Sequence, residues 1–171
     1  MPHLTIVTCG APLAARTADL TTAAVDRGWE VAYAVTESSR AWLTDVDLGD
    51  SGFRRPDQPK RPRPDAVIVL PLTFNTGSKW ALGIADNRPL SLLCESLGAG
   101  LPIAAVPLVN RSLWGHPAWA GHLDVLTGAG VVLIDPLTGH RDAGPVTSDH
   151  TDGLVASFDP RWLLDALPGR D

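Results

Sequence analysis

The run Ala66-Val67-Ile68-Val69-Leu70 restricts the fold of this chain more than any other segment. It is apolar without a break and lacks the polar alternation of a strand with one wet face. A strand of this kind has to be covered on both sides, as in a parallel sheet flanked by helices. Leu4 to Thr8, Glu30 to Val35, Ile103 to Val106 and Val131 to Ile134 read as its partner strands. Between them apolar residues recur at helical spacing: from Leu13 to Arg27 with Gly28 as C-cap, Ser38 to Leu43, Asn75 to Gly83, Leu90 to Leu97 and Pro117 to Thr127. Trp162 to Leu167 reads as a short last helix. Strand–helix alternation with right-handed crossovers predicts an α/β fold: a doubly wound parallel sheet, Rossmann- or flavodoxin-like, in a three-layer α/β/α sandwich. A single domain over residues 1–171 is expected, since this length can bury one sizeable core.

Composition excludes several classes of function. The formal charge of −5 argues against nucleic acid as a partner, because phosphate contacts need a basic face. No apolar run approaches the roughly 20 residues that span a bilayer. The first residues lead straight into a strand with no basic, then apolar, leader pattern, so a cytoplasmic chain is expected. Cys9 and Cys94 are too few for a disulfide framework or a metal cluster and read as small buried hydrophobes; no metal is expected.

Two segments break the pattern. Residues 51–64 hold Arg54, Arg55, Lys60, Arg61 and Arg63 among four prolines, which favours an extended loop. It reads as a solvated surface connection, or else as a basic flap over an anionic ligand or partner. Residues 135–158 are rich in Gly, Asp, Thr and His, and read as a linker before the last helix or as a lid.

In sheets of this type ligands sit at the carboxyl ends of the strands. The first strand ends in Cys9-Gly10-Ala11-Pro12 at a helix start, where free amides attract phosphate and Gly10 admits close approach. The second ends in Thr36-Glu37-Ser38-Ser39, whose hydroxyls can serve as caps or as phosphate donors. Neither the G-x-G-x-x-G pattern nor the Walker pattern is present, so one phosphate of a mononucleotide fits better than a dinucleotide or ATP. The fourth strand opens onto Pro107-Leu108-Val109-Asn110-Arg111-Ser112-Leu113-Trp114-Gly115-His116-Pro117, an unusual density of functional side chains for a plain loop. Asn110 can equally cap the next helix, and Phe74 and Trp114 can be core aromatics. His116 and His122 are possible bases whose bland alternative is a structural role.

Three of these segments together resemble the homo-oligomeric flavin-containing cysteine decarboxylase family, phosphopantothenoylcysteine decarboxylase-like. Pro107 to Asn110 with Leu113, Trp114 and Pro117 is similar to its P-A-M-N-x-x-M-W-x-x-P motif. Leu70 to Thr76 resembles A-P-A-T-A-N-T, and Gly83 to Asn87 resembles G-x-A-D-N. The similarity runs from about Leu4 to Ile134. The resemblance implies FMN across the carboxyl edge, with its phosphate at Gly10, Ala11, Thr36, Ser38 and Ser39. Its ring would lie near Leu72, Thr73, Phe74, Asn75 and Thr76. It also implies a trimer or dodecamer in which Asp86, Asn87 and Trp114 belong to a shared site. Asn110 takes the place of the substrate-binding Asn, so a small-molecule or peptide substrate bearing a thiol or carboxylate is expected.

The departures are as informative. The family uses a histidine shortly before the third strand, yet none occurs between His3 and His116. Counting back without gaps puts Asp57 there, which could act similarly only with a raised pKa. No cysteine follows Cys94, although the family's flap often carries one. Val109 and Leu113 replace the motif methionines. Three readings follow: an FMN enzyme performing redox or decarboxylation chemistry in altered form, a non-catalytic or regulatory FMN-binding protein, and, least favoured, a flavin prenyltransferase-like protein.

Overall fold

In the computed structural model, which describes residues 1–49, 51–147 and 151–169, five strands form one all-parallel sheet. They are β1 (His3–Thr8), β2 (Glu30–Val35), β3 (Ala66–Leu72), β4 (Ile103–Pro107) and β5 (Val131–Leu133), in spatial order β2-β1-β3-β4-β5. That order settles the flavodoxin-like alternative, with the topological switch between β1 and β3. All seven residues of β3 are buried, as its composition required. The strand runs on through Pro71 because a register shift between Val69 and Leu72 absorbs the missing N–H there, the setting in which a central strand tolerates proline.

The helices are α1 (Thr17–Asp26), α2 (Phe74–Ala81), α3 (Arg88–Gly98), α4 (Arg111–Trp114), α5 (Trp119–Gly128), α6 (Thr151–Ser157) and α7 (Arg161–Asp165). One core layer joins Leu4, Ile6, Ile68, Leu20 and Leu163; the other joins Val67, Val69, Leu93, Trp80 and Leu126. Alternate β3 residues therefore enter opposite layers. Each aliphatic side chain so buried stabilises the fold by roughly 1.5–3 kcal/mol.

Several expected helices differ. The single helix from Leu13 to Arg27 is a 3-10 turn, Pro12–Arg16, followed by α1, and the helix from Ser38 is a 3-10 turn, Glu37–Trp42. Neither turn has a side-chain N-cap, so the chain tightens in both places. Gly28 ends α1 with φ +78°, as a C-cap glycine should. The helix expected from Pro117 starts at Trp119, after the His116 imidazole accepts the Ala118 N–H at 3.2 Å.

The segment after β5 is largely structured where it is described. Asp135 holds it: Oδ1 accepts the N–H groups of Leu137 (2.8 Å) and Thr138 (2.9 Å), and Oδ2 accepts that of Gly144 (3.2 Å). The Val146 N–H then donates to the Val109 carbonyl at 2.9 Å, and α6 packs on the first 3-10 turn. Asp149 and His150 of the expected lid or linker lie outside the described residues. No helix among the described residues is long and apolar enough to cross a membrane.

Candidate functional site

The carboxyl ends of β1 and β2 meet closely. A Cβ on Gly10 would lie 2.4 Å from Ser38 Oγ and 2.8 Å from the Ser38 carbonyl carbon, so no other residue fits there without movement. The contact brings the two predicted phosphate-binding turns together. Thr36 and Ser38 share a hydroxyl–hydroxyl hydrogen bond of 3.2 Å, and Ser38 is exposed. Ser39 is different: it is fully buried, and its hydroxyl donates to the Thr36 carbonyl at 2.7 Å. Its side chain shapes the turn. The Ala11 N–H donates to the Cys9 carbonyl at 3.0 Å.

The end of β3 supplies a second wall. Thr73 caps α2, its hydroxyl accepting the Thr76 N–H at 3.4 Å. Thr76 is buried and, with Thr73, hydrogen-bonds Cys9 beneath the first turn. Burial pushes the Cys9 thiol above its ordinary range, and those hydrogen bonds oppose the shift only in part. Cys9 is the buried hydrophobe expected of it, whereas Cys94 is half-buried. Leu72 is fully buried under Gly77, and its side chain belongs to the core. Phe74 is half-buried and Asn75 exposed, so both have accessible surface at the start of α2.

The third wall is aromatic. Phe74 lies 5.0 Å from Trp119 and 5.6 Å from the His116 ring, and Trp114 lies 6.0 Å from Trp119. Trp119 is entirely buried, with Gly77 making room for its ring. Its indole N–H has no acceptor among the described residues, a deficit of about 1–3 kcal/mol that its ring packing offsets. Asn110 performs the capping alternative: Oδ1 accepts the Leu113 N–H at 2.9 Å. The cap orients the carboxamide and leaves its Nδ2 donors without a hydrogen bond among the described residues.

Other expected site residues lie further along the chain or are engaged locally. The Asp86 carboxylate pairs with Lys79 Nζ at 2.5 Å, and Asn87 caps α3 by accepting the Leu90 N–H at 2.9 Å. Asp57 is not joined to these walls; it is exposed and pairs with Arg55 at 3.7 Å. His122 ties α5 to α2 through Ser78 at 3.2 Å. The contact of Cys9 with Thr73 and Thr76 had no sequence signal. The Asp135 hub had one, since Asp-Pro before Thr-Gly marks a turn whose aspartate bonds the following backbone.

Fold and edge together define a flavodoxin-like α/β protein with its candidate site at the topological switch. The chain belongs to the Flavoprotein family, whose model matches residues 3–159. It is 28% identical over 170 residues to the Coenzyme A biosynthesis bifunctional protein CoaBC of Escherichia coli K12, a match that covers 91% of this chain and 40% of that protein. The chain thus spans about two fifths of the length of that relative. Among solved structures it resembles the FMN binding protein AtHal3, with a TM-score of 0.68, 21% identity, and coverage of 98% of this chain and 99% of the other. It also resembles the FMN-dependent cysteine decarboxylase SpaF, with a TM-score of 0.62, 24% identity, and coverage of 91% and 97%. At these identities the two structures speak to the fold.

Proposed function

We propose that the chain binds FMN at the carboxyl edge and acts, as a homo-oligomer, on a small molecule or peptide bearing a thiol or carboxylate, by oxidation or decarboxylation. The observation that carries this reading is the Gly10–Ser38 approach at the switch point of a Flavoprotein-family sheet. It converges the Thr36 and Ser38 hydroxyls on one corner, a donor set suited to a single phosphate. The accessible surfaces of Thr73, Phe74 and Asn75 suit the edge of a flat ring. When bound, FMN supplies a two-electron acceptor.

The chain's own residues then bind and orient. Asn110, with Oδ1 held by the Leu113 N–H, presents Nδ2 donors to a substrate carboxylate. The Cys9–Thr76 contact fixes the floor between the first turn and α2. Exposed Leu82, Ile84 and Leu113 neighbour the Asp86-Asn87 and Asn110 motifs in sequence, in keeping with a site completed by a second copy. A non-catalytic FMN-binding role is the second reading. It is favoured by the placement of Asp57, whose exposed pairing with Arg55 supplies no substitute for the family histidine.

Titration of the purified protein with FMN, followed by flavin absorbance and gel filtration, tests the cofactor and the assembly. A protein that stays colourless sinks both readings. Incubation under air with cysteine-terminated peptides and with phosphopantothenoylcysteine separates them: carbon dioxide loss by mass or bleaching of the flavin supports the enzyme. An unchanged flavin with every substrate favours the binding role.

A further inference from the structure

The opposite end of the sheet carries a groove that the flavin reading leaves unused. The connections from β1 to β2, β3 to β4 and β4 to β5 each contain an α-helix. Between β2 and β3 the described residues form only a 3-10 turn and irregular chain. The sheet beside β2 therefore lacks a helical roof of its own. A cavity of about 490 Å³ remains, floored by the paired residues Thr5 and Ala32, walled by Leu92 and Glu95 of α3, and bordered by residues 60–64.

Its electrostatics run against those of the chain. Arg54, Lys60, Arg61, Arg63 and Arg88 line it together with two carboxylates, Glu30 and Glu95, among the described residues, although the protein as a whole carries a formal charge of −5. Glu30 lies 3.5 Å from the His3 imidazole at the groove's edge. Several cations elsewhere are matched, as in Arg27–Asp165 at 2.7 Å and Arg161–Asp159 at 2.7 Å. Lys60 and Arg63 have no carboxylate partner among the described residues. Like charges gathered at one concave site repel one another, and an anion relieves that repulsion.

We propose that this groove binds a small molecule carrying adjacent phosphate groups. Guanidinium groups hold phosphate oxygens in pairs, and several of them around one cavity suit a pyrophosphate better than a lone carboxylate. The volume lies within the roughly 300–1,000 Å³ typical of small-ligand sites. Leu92, Val31 and Pro62 provide apolar surface for the remainder of a nucleotide. His3 and Glu30 begin β1 and β2, so the groove lies a strand's length, about 20 Å, from the Gly10–Ser38 corner.

The test is calorimetric titration of the flavin-loaded protein with inorganic pyrophosphate and, separately, ATP, both in magnesium-free buffer. Saturable binding is expected, weakened at least about tenfold in Lys60→Gln/Arg63→Gln and weakened further by salt. Both side chains are exposed and lie outside the proposed flavin site, so flavin absorbance should stay unchanged in the double variant. Binding of both probes supports a nucleotide-type ligand, and binding of pyrophosphate alone supports the free anion. Absence of heat with pyrophosphate overturns the proposal. So do equal affinity in the double variant and equal displacement by sulfate at matched ionic strength. A loss of flavin from the double variant would overturn the separateness of the two sites.

Discussion

Gly10 and Ser38, one from the turn after β1 and one from the turn after β2, approach so closely that a methyl group on Gly10 would stand 2.4 Å from the Ser38 hydroxyl oxygen. Because the obstacle includes the Ser38 backbone carbon at 2.8 Å, a change of rotamer cannot clear it. Gly10→Ala should force the two turns apart, destabilise the protein by about 1–3 kcal/mol and weaken FMN binding at least about tenfold. Urea denaturation and flavin titration check the two effects. Ser38→Ala, which keeps the backbone and loses the hydroxyl, should weaken FMN binding with little change in stability.

Gly77 plays the same part for the aromatic wall. A Cβ there would lie 2.8 Å from Trp119 Cη2, so Gly77→Ala should displace the Trp119 ring and cost about 1–3 kcal/mol. Intrinsic tryptophan fluorescence should change in the folded state, and the urea midpoint should fall. An unchanged spectrum would show that the ring has room to move.

Asn110 combines a cap with a proposed substrate contact, and two substitutions separate them. Asn110→Ala removes the acceptor for the Leu113 N–H and should cost about 1 kcal/mol. Asn110→Asp keeps the acceptor and loses the Nδ2 donors, so stability should hold while turnover of a carboxylate-bearing substrate falls. If the two variants lose equal activity in proportion to stability, Asn110 is a cap alone.

The thiol of Cys9 makes stability depend on alkaline pH. Burial raises its folded pKa above the ordinary 9.0, so the folded state holds its proton more tightly than the unfolded chain. The contribution is complete below about pH 9 and is lost as pH rises from there through the folded value. The Tyr33 phenol, raised by burial from 10.0, acts in the same direction. Unfolding free energy should therefore decline above about pH 9, and Cys9→Ala should flatten part of that decline. A thiol reagent should modify Cys9 slowly in the native protein and rapidly in urea.

Local patterning makes the sheet legible in the sequence. The unbroken apolar run of β3 and the strand–helix alternation specify a parallel sheet wherever both faces must be dry. The elements that the pattern misses are short, α4 and α6 with 4 and 7 residues, and the two 3-10 turns were expected as α-helix. Short helices owe little to intrinsic propensity and depend on caps and neighbours. α4 needs the Asn110 cap, while the first 3-10 turn is tied to α6 by the Arg16 guanidinium donating to the Val155 carbonyl at 2.6 Å. The turns at the carboxyl edge were recognisable, but not the contacts that each residue makes there. Ser39 and Leu72 are structural, Thr76 supports Cys9, and Asp57 stands apart with Arg55.

By itself the sequence determined the α/β class, the buried central strand and the turns at the strand ends, because apolar period and turn chemistry are local properties. Only the tertiary structure decided the strand order β2-β1-β3-β4-β5, and with it which strand ends become neighbours. That order brings Gly10 against Ser38 and Phe74 against His116, and leaves the basic groove beside β2. Such contacts join residues dozens of positions apart, and close packing of the whole chain selects them.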